Sequence, residues 1–136
     1  EKLRVFAYHG LSREYVEKGP LDSSRSLGET VMNGKHAWVE DAATDPRVQY
    51  PTEAMREGVK SILSVPLLVR NKVIGALRVY TSDTRNFSDE EVRFLYGFAE
   101  QVAIAIENAR SYEDVKDEYQ ALRDDLWDYL DRDGLL

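Results

Sequence analysis

The chain has 136 residues, 43% hydrophobic, 32% charged and 10% aromatic, with a formal net charge of -7 and no cysteine; that mix buries roughly two thirds of the unfolded surface in one compact domain without covalent staples. The lack of cysteine excludes disulfides, thiolate metal sites, thioether-linked chromophores and cysteine nucleophiles. The longest uninterrupted apolar run, residues 102–106, falls far short of the ~20 residues that a membrane-spanning helix needs. The acidity is concentrated in residues 111–136, where Glu113, Asp114, Asp117, Glu118, Asp124, Asp125, Asp128, Asp131 and Asp133 stand against Lys116, Arg123 and Arg132. A near-neutral body with an acidic tail has no footprint for a phosphate backbone, so neither nucleic acid nor membrane is an expected partner. With no secretory leader the cytoplasm is the expected location, and a start at Glu1 rather than Met leaves room for upstream residues.

Residues 3–9 alternate and carry Val5, Phe6 and Tyr8, which predicts a strand ended by Gly10. Ser12 caps a short helix predicted over 12–18, closed by Gly19 and Pro20. A polar loop over 22–26 leads to a second short helix over 27–33, stopped by Gly34, and to a brief strand at 37–40. Thr44-Asp45-Pro46 offers a cap followed by a proline at a first helical position, and 52–57 forms a turn or two of helix ending at Gly58.

Residues 61–69 and 73–80 form the clearest hairpin, with Arg70-Asn71-Lys72 as its loop. Opposed residues share a face, and a slip of one residue would exchange the faces, so side-chain chemistry selects the register. Pairing Val69 with Val73 sets Leu63, Val65 and Leu67 opposite Val79, Leu77 and Gly75, a wholly apolar face suited to a helix. The other face gathers Ile62, Ser64 and Pro66 against Tyr80, Arg78 and Ala76, a mixed surface with a cation, a phenol and a hydroxyl.

The helix for the apolar face starts with a complete signal: Ser88 as cap, Glu91 as its capping-box partner, Phe87 with Val92 as staple, and Asp89 and Glu90 at the positive helix end. Gly97 is the sole interruption before Gly134, so one helix of ~40 residues is predicted. Leu95, Ala99, Val102, Ile106 and Ala109 cover the sheet, whereas Tyr112, Val115, Tyr119, Leu122, Leu126 and Tyr129 keep the heptad spacing of a coiled-coil seam. A homodimer through Tyr112, Val115, Tyr119, Leu122 and Leu126 is expected. The acidic charge opposes a parallel pair, and an offset or antiparallel crossing, or a basic partner, would relieve it.

The order of motifs resembles a GAF domain. The match runs from the Tyr8-His9-Gly10-Leu11-Ser12 turn through Val39-Glu40-Asp41, Asp45-Pro46-Arg47, Arg56-Glu57-Gly58, Ser61-Ile62-Leu63-Ser64-Val65-Pro66-Leu67 and Ile74-Gly75-Ala76-Leu77. It continues to Phe87-Ser88 with Glu90-Glu91, and to Ile104-Ala105-Ile106-Glu107-Asn108-Ala109-Arg110. The resemblance implies an α+β, GAF/PAS-like fold: a central antiparallel sheet, the long C-terminal helix on one face, and loops and short helices forming a pocket on the other. Residues 1–110 would be the GAF domain, without the family's first helix and first strand, and 111–136 an acidic coiled-coil extension. Either upstream residues supply the absent strand, or 3–9 pairs with 73–80.

The implied pocket falls on the mixed hairpin face. Tyr80 stands at the position that carries a pocket histidine in bilin-binding members, and Arg78 shares its parity. Ile62 and Ser64 lie on the same face, Phe6 and Tyr8 extend the wall, and Trp38, Tyr50 and Met55 belong to the segments that would roof it. Aromatics with one cation and one hydroxyl suit a planar, partly anionic ligand; the plainer reading is a filled interior in which Arg78 pairs with a carboxylate such as Asp41.

The chemistry of other classes is missing. Bilin attachment and the sulfoxide-reducing GAF enzymes depend on cysteine, and Tyr80-Thr81 occupy the Asn-Lys places of cyclic-nucleotide binders, although Phe87 matches. Gly28 and Gly34-Lys35 imitate a phosphate loop with the wrong spacing, and His36 stands where a magnesium-binding hydroxyl belongs. Asp131-Arg132-Asp133-Gly134 is a frayed helix end rather than a calcium loop. His9 and His36 read more simply as turn residues than as metal or haem ligands, and Asp41 and Asp45 as loop caps than as an acid and base. No catalytic residue, metal or cofactor is therefore expected. Two functions stay open: a regulatory sensor that binds a small molecule and signals through its C-terminal helix to a downstream signalling protein, or a dimerisation and interaction module with a vestigial pocket.

Overall fold

The computed structural model describes residues 2–22 and 27–132. Of the loop predicted over 22–26, Asp22 lies in a strand and residues 23–26 lie outside the described residues, as do the helix stop at Gly134 and the acidic Asp133. The chain divides into two compact units, Glu1–Ala103 and Ile104–Leu136.

The first unit is organised by a hairpin of β4 (Ser61–Val69) and β5 (Lys72–Thr81), joined by Arg70 and Asn71 at φ 51° and 63°. Positive φ at both positions is the two-residue turn whose twist matches that of the strands, so Lys72 lies in β5 and not in the loop. Ile62 opposes Tyr80, Ser64 opposes Arg78 and Val65 opposes Leu77, as the face chemistry requires. Past Leu67 the register shifts by one, setting Leu68 opposite Val73 and Val69 opposite Lys72. The expected Val69–Val73 pair is lost because the tighter turn uses one residue fewer, and Ile74 is bulged out to keep the faces aligned. Before this hairpin come β1 (Lys2–Leu3), paired antiparallel with β2 (Leu21–Asp22), and β3 (Ala37–Val39), which pairs with β4 to give the order β3-β4-β5. β4 is thus central, and residues 61–67 are buried on both faces.

The predicted strand at 3–9 is a correction. Only Lys2–Leu3 is extended into a ladder, and it pairs with β2 rather than with β5. Leu3, Val5 and Ala7 alternate with Arg4, Phe6 and Tyr8, which suits a strand, but alternation fixes only a face and does not name the strand that pairs with it. The outer edge of β5 has no strand partner among the described residues.

The two sheet faces are covered differently. On the Ile62 face, α1 (Arg13–Val16), α2 (Leu27–Met32) and α3 (Pro51–Glu57) contribute Tyr15, Val31 and Ala54 to a core shared with Ala37, Val39, Ala42 and Val59. Ser12 Oγ accepts from Tyr15 N at 3.1 Å, capping α1, and Gly58 closes α3 at φ 83°. The proline at a first helical position is Pro51, not Pro46. Asp45 does not cap a helix because its Oδ1 accepts from Arg47 N at 2.9 Å and closes a local turn instead.

On the opposite face Leu63, Val65 and Leu67 are all buried, and within residues 89–103 of α4 (Asp89–Arg132) the buried stripe is Leu95, Ala99 and Ala103. The capping box is reciprocal: Ser88 Oγ accepts from Glu91 N and Glu91 Oε1 accepts from Ser88 N, both at 3.1 Å. Glu91 also takes Arg85 Nη2 at 2.6 Å, and Arg85 N donates to Ser61 Oγ at 2.9 Å, so the start of α4 is fastened to the start of β4.

In the second unit α4 runs on through Arg132, and Tyr112, Val115, Tyr119, Leu122, Leu126 and Tyr129 are all exposed. No helix among the described residues is long and apolar enough to cross a membrane.

Candidate functional site

β5 brings Arg78 to the mixed face, where it meets α1 and the loop before α3 around a small cavity. Tyr15 and Lys18, Arg47 and Val48, Gln49 and Tyr50, together with Leu3, Leu21, Gly28 and Arg78, line a cavity of about 30 Å³. That is room for one or two waters or an anion of a few heavy atoms, against the several hundred Å³ that a drug-sized or tetrapyrrole ligand requires.

The floor is aromatic. Tyr80 meets Tyr15 edge to face with ring centroids 5.9 Å apart, and Lys18 Nζ sits 3.9 Å from the Tyr15 centroid and 5.8 Å from that of Tyr50. Such placement over ring faces retains a cation that is partly removed from water. Lys18 Nζ also donates to Tyr15 O at 3.1 Å. At the lip, Tyr50 Oη and Gln49 Nε2 donate to Pro20 O at 2.7 and 3.0 Å. Tyr50 lies so close over Gly19, at φ 152°, that a Cβ there would meet its Oη and stand 2.9 Å from Cζ.

Three cations converge here, and they are not equally neutralised. Arg47 is held by Asp45, Nε to Oδ1 at 3.1 Å and Nη2 to Oδ2 at 2.8 Å, and donates to Trp38 O at 2.6 Å. Its side-chain hydrogen bond is the main reason the Asp45 carboxyl lies below the usual carboxylate range. Arg78 is half-buried and makes no hydrogen bond or ion pair among the described residues; the expected partner Asp41 instead accepts from Ala43 N at 3.0 Å. Burial first, and the Arg78 charge second, hold Lys18 below the usual lysine range, with Glu53 and Glu57 pulling the other way. The Tyr15 phenol is pushed up by burial and by Tyr80. Directly across the ladder from Arg78, Ser64 Oγ is fully buried without a hydrogen-bond partner among the described residues.

Of the residues predicted for the site, Arg78 and Tyr50 line the cavity, Tyr80 meets the lining Tyr15 edge to face, and Ile62 and Ser64 are buried on the same sheet face. Four are elsewhere. Phe6 and Tyr8 are 65% and 51% exposed because their segment does not join the sheet. Met55 projects from α3 at 60% exposure. Trp38 opposes Leu63 and so belongs to the other face, where its Nε1 donates to Arg85 O at 3.3 Å. Sequence reasoning missed Tyr15, Lys18, Arg47 and Gln49 as lining residues. Lys18 and Arg47 were visible only as charges on a short helix and a loop, which carry no periodicity to assign them a side.

His36 Nδ1 lies 3.3 Å from Tyr96 Oη, and among the described residues no group of three or more His, Asp or Glu is placed to hold a metal.

A sequence model described as the GAF domain matches residues 1–107. The chain is 24% identical over 122 residues to the formate hydrogenlyase transcriptional activator FhlA of Escherichia coli (strain K12), covering 84% of this chain and 17% of that protein. It therefore spans about a sixth of that relative's length. Among solved structures it is similar to a domain of a protein described as a two-component sensor histidine kinase from Sinorhizobium meliloti 1021, with TM-score 0.67, 20% identity and coverage of 82% of this chain and 74% of that one. It is also similar to the GAF domain of a phosphoenolpyruvate-protein phosphotransferase from Coxiella burnetii, with TM-score 0.65, 23% identity and coverage of 76% and 62%. The chain belongs to the GAF domain family, whose members are small-molecule-sensing regulatory modules of signalling proteins.

Proposed function

We propose that this chain is a cytoplasmic regulatory sensor whose cavity takes a small anion and whose response passes along α4 to a downstream signalling protein. The observation that carries the reading is Arg78, half-buried beside Lys18 and without a counter-charge among the described residues. A desolvated cation is costly unless paired, and an anion seated against Arg78 and Lys18 would supply the missing charge while Tyr50 and Gln49 stand at the lip. The fastening of Arg85 to Ser61 and to Glu91 supports a route from the sheet to the helix start.

Thermal melts of the full chain with sodium formate, acetate or nitrate, each against sodium chloride at equal ionic strength, test this. A saturable rise in melting temperature with at least one of them is the expected result, and identical melts in all four salts would refute it. The small volume of the cavity favours the second reading, a dimerisation module without a ligand, and that is what identical melts would leave standing.

A further inference from the structure

The cavity holds an amine beside its guanidinium groups, and an amine can do chemistry that they cannot. We propose that Lys18 is carbamylated by dissolved carbon dioxide, and that the carbamate is the negative group that pairs with Arg78. Carbon dioxide is then the source of the small anion that the reading of the cavity calls for, a reading on which this proposal rests. Lys18 and Arg78 line one cavity of about 30 Å³. Asp45 is taken by Arg47, and Arg78 makes no ion pair among the described residues. Two cations therefore oppose each other across a space with room for a group of a few heavy atoms. A carboxylate built on the Lys18 nitrogen removes one of the two positive charges, gives the other its counter-charge, and is of the size that the space admits.

The step balances without an oxidant or a reductant. The Lys18 ammonium loses one proton to solvent, and the freed lone pair attacks the carbon of carbon dioxide. The N–C bond forms as one C=O electron pair moves onto oxygen, and a second proton leaves the nitrogen for water. One N–H remains, and it keeps the donor that Nζ now directs at Tyr15 O over 3.1 Å. Only the neutral amine reacts. Burial first, and the Arg78 charge second, hold Lys18 below the usual lysine range, which enlarges its neutral fraction. Glu53 and Glu57 of α3 act against this, and so do the ring faces of Tyr15 and Tyr50, whose centroids lie 3.9 and 5.8 Å from Nζ and favour the ammonium. Arg47, the third cation of the cavity, is engaged by Asp45 and by Trp38 O. Lys35, Lys60, Lys72 and Lys116 are exposed, so bulk water surrounds their amines, and Lys18 is the half-buried amine with a free guanidinium in its own cavity.

The full chain equilibrated with carbon-13 bicarbonate, at fixed dissolved carbon dioxide, should show a carbamate resonance that strengthens as the pH rises through neutral. Trapping with triethyloxonium ion and peptide mass spectrometry should place the adduct on Lys18. Lys18→Arg, which keeps a cation but has no reactive amine, should lose that resonance. Arg78→Met should lower the carbamylation equilibrium constant by about tenfold or more, the weight of one charge-assisted hydrogen bond. Absence of the Lys18 adduct, or an adduct indifferent to Arg78→Met, would overturn the proposal. So would a bicarbonate-induced rise in melting temperature that Lys18→Arg retains, since that marks bicarbonate held without a covalent bond. If formate, acetate or nitrate raises the melting temperature and no adduct forms, the anion reading of the cavity stands and carbamylation falls. If none of them does and no adduct forms, both fall. An adduct together with identical melts in those salts supports the carbamate over a freely diffusing anion.

Discussion

Replacing Arg78 by methionine separates a ligand-binding cation from a structural one. An arginine that completes a buried ion pair costs about 3–5 kcal/mol when removed, because its carboxylate is left behind. Arg78 leaves no such orphan, since it makes no ion pair among the described residues, and it opposes the charge on Lys18. Methionine keeps the aliphatic stem packed on the sheet. Without ligand, Arg78→Met should therefore fall within about 0.5 kcal/mol of the parent or exceed it. With ligand the variant should suffer. At an anion concentration of about one hundred times the parent dissociation constant, the parent gains about 2.7 kcal/mol, a rise of about 8–13 °C for a chain of this size. Loss of a charge-assisted hydrogen bond weakens binding by about 1.5–3 kcal/mol, which reduces the gain to about 0.3–1.3 kcal/mol at the same concentration. Paired melts with and without the anion identified in the salt series read both quantities at once. A ligand-free loss of about 3 kcal/mol or more, or a ligand-induced gain equal to that of the parent, would refute the assignment of Arg78.

Ser64→Ala should raise the urea midpoint by an amount worth about 1 kcal/mol, because the buried Oγ has no partner to lose among the described residues; a lowered midpoint would mean that the hydroxyl is satisfied. Arg70→Asn with Asn71→Gly should stabilise by about 0.5–1 kcal/mol, since both positions have positive φ and the new pair suits the two-residue turn, and an unchanged melting temperature would count against that turn. The carboxyls of Asp45 and Glu57 are both held low, the first by its hydrogen bond to Arg47 and the second by that to Ser12. A depressed folded value means that the unfolded chain takes up protons first, so this stability is fully present above about pH 5 and is lost as pH falls through the folded values. Melts from pH 7 to pH 3 should decline in that acid window, and Asp45→Asn should flatten part of the slope.

The features legible in the sequence are those decided by neighbours along the chain or by one shared face. The α4 start was legible because Ser88, Glu91, Phe87 and Val92 complete one another within six residues. The pairing of Ser64 with Arg78 was legible because only one parity of the hairpin gives an apolar face. The turn was misjudged by one residue because Arg70-Asn71 lacks the glycine that usually marks two consecutive positive φ angles, and the bulge at Ile74 absorbed the difference without moving either face. Features set by distant partners were not legible in this way. Residues 3–9 alternate well enough for a strand, but alternation does not name a partner, and Leu3 found Leu21 instead of β5.

Trp38 shows how little separates a correct site from an incorrect one. In a three-residue strand the choice of face is a single binary decision. Ala37 and Val39, buried at 3% and 0%, take the cavity side because they oppose Ser64 and Ile62. The indole between them must then point to the other side, whatever its chemistry suggests about ligands. Small buried residues flanking a large aromatic carry that decision, and a tryptophan whose edge reaches a backbone carbonyl at Arg85 is satisfied there. The cation pair at the cavity arises from the same logic in reverse: Arg78 is fixed by parity, while Lys18 reaches it only because Ser12 caps α1 and Glu57 ties that cap to α3, through Ser12 N to Oε1 at 2.8 Å. The charge that defines the site was therefore written in the sequence residue by residue, but its convergence depended on a contact 45 residues apart.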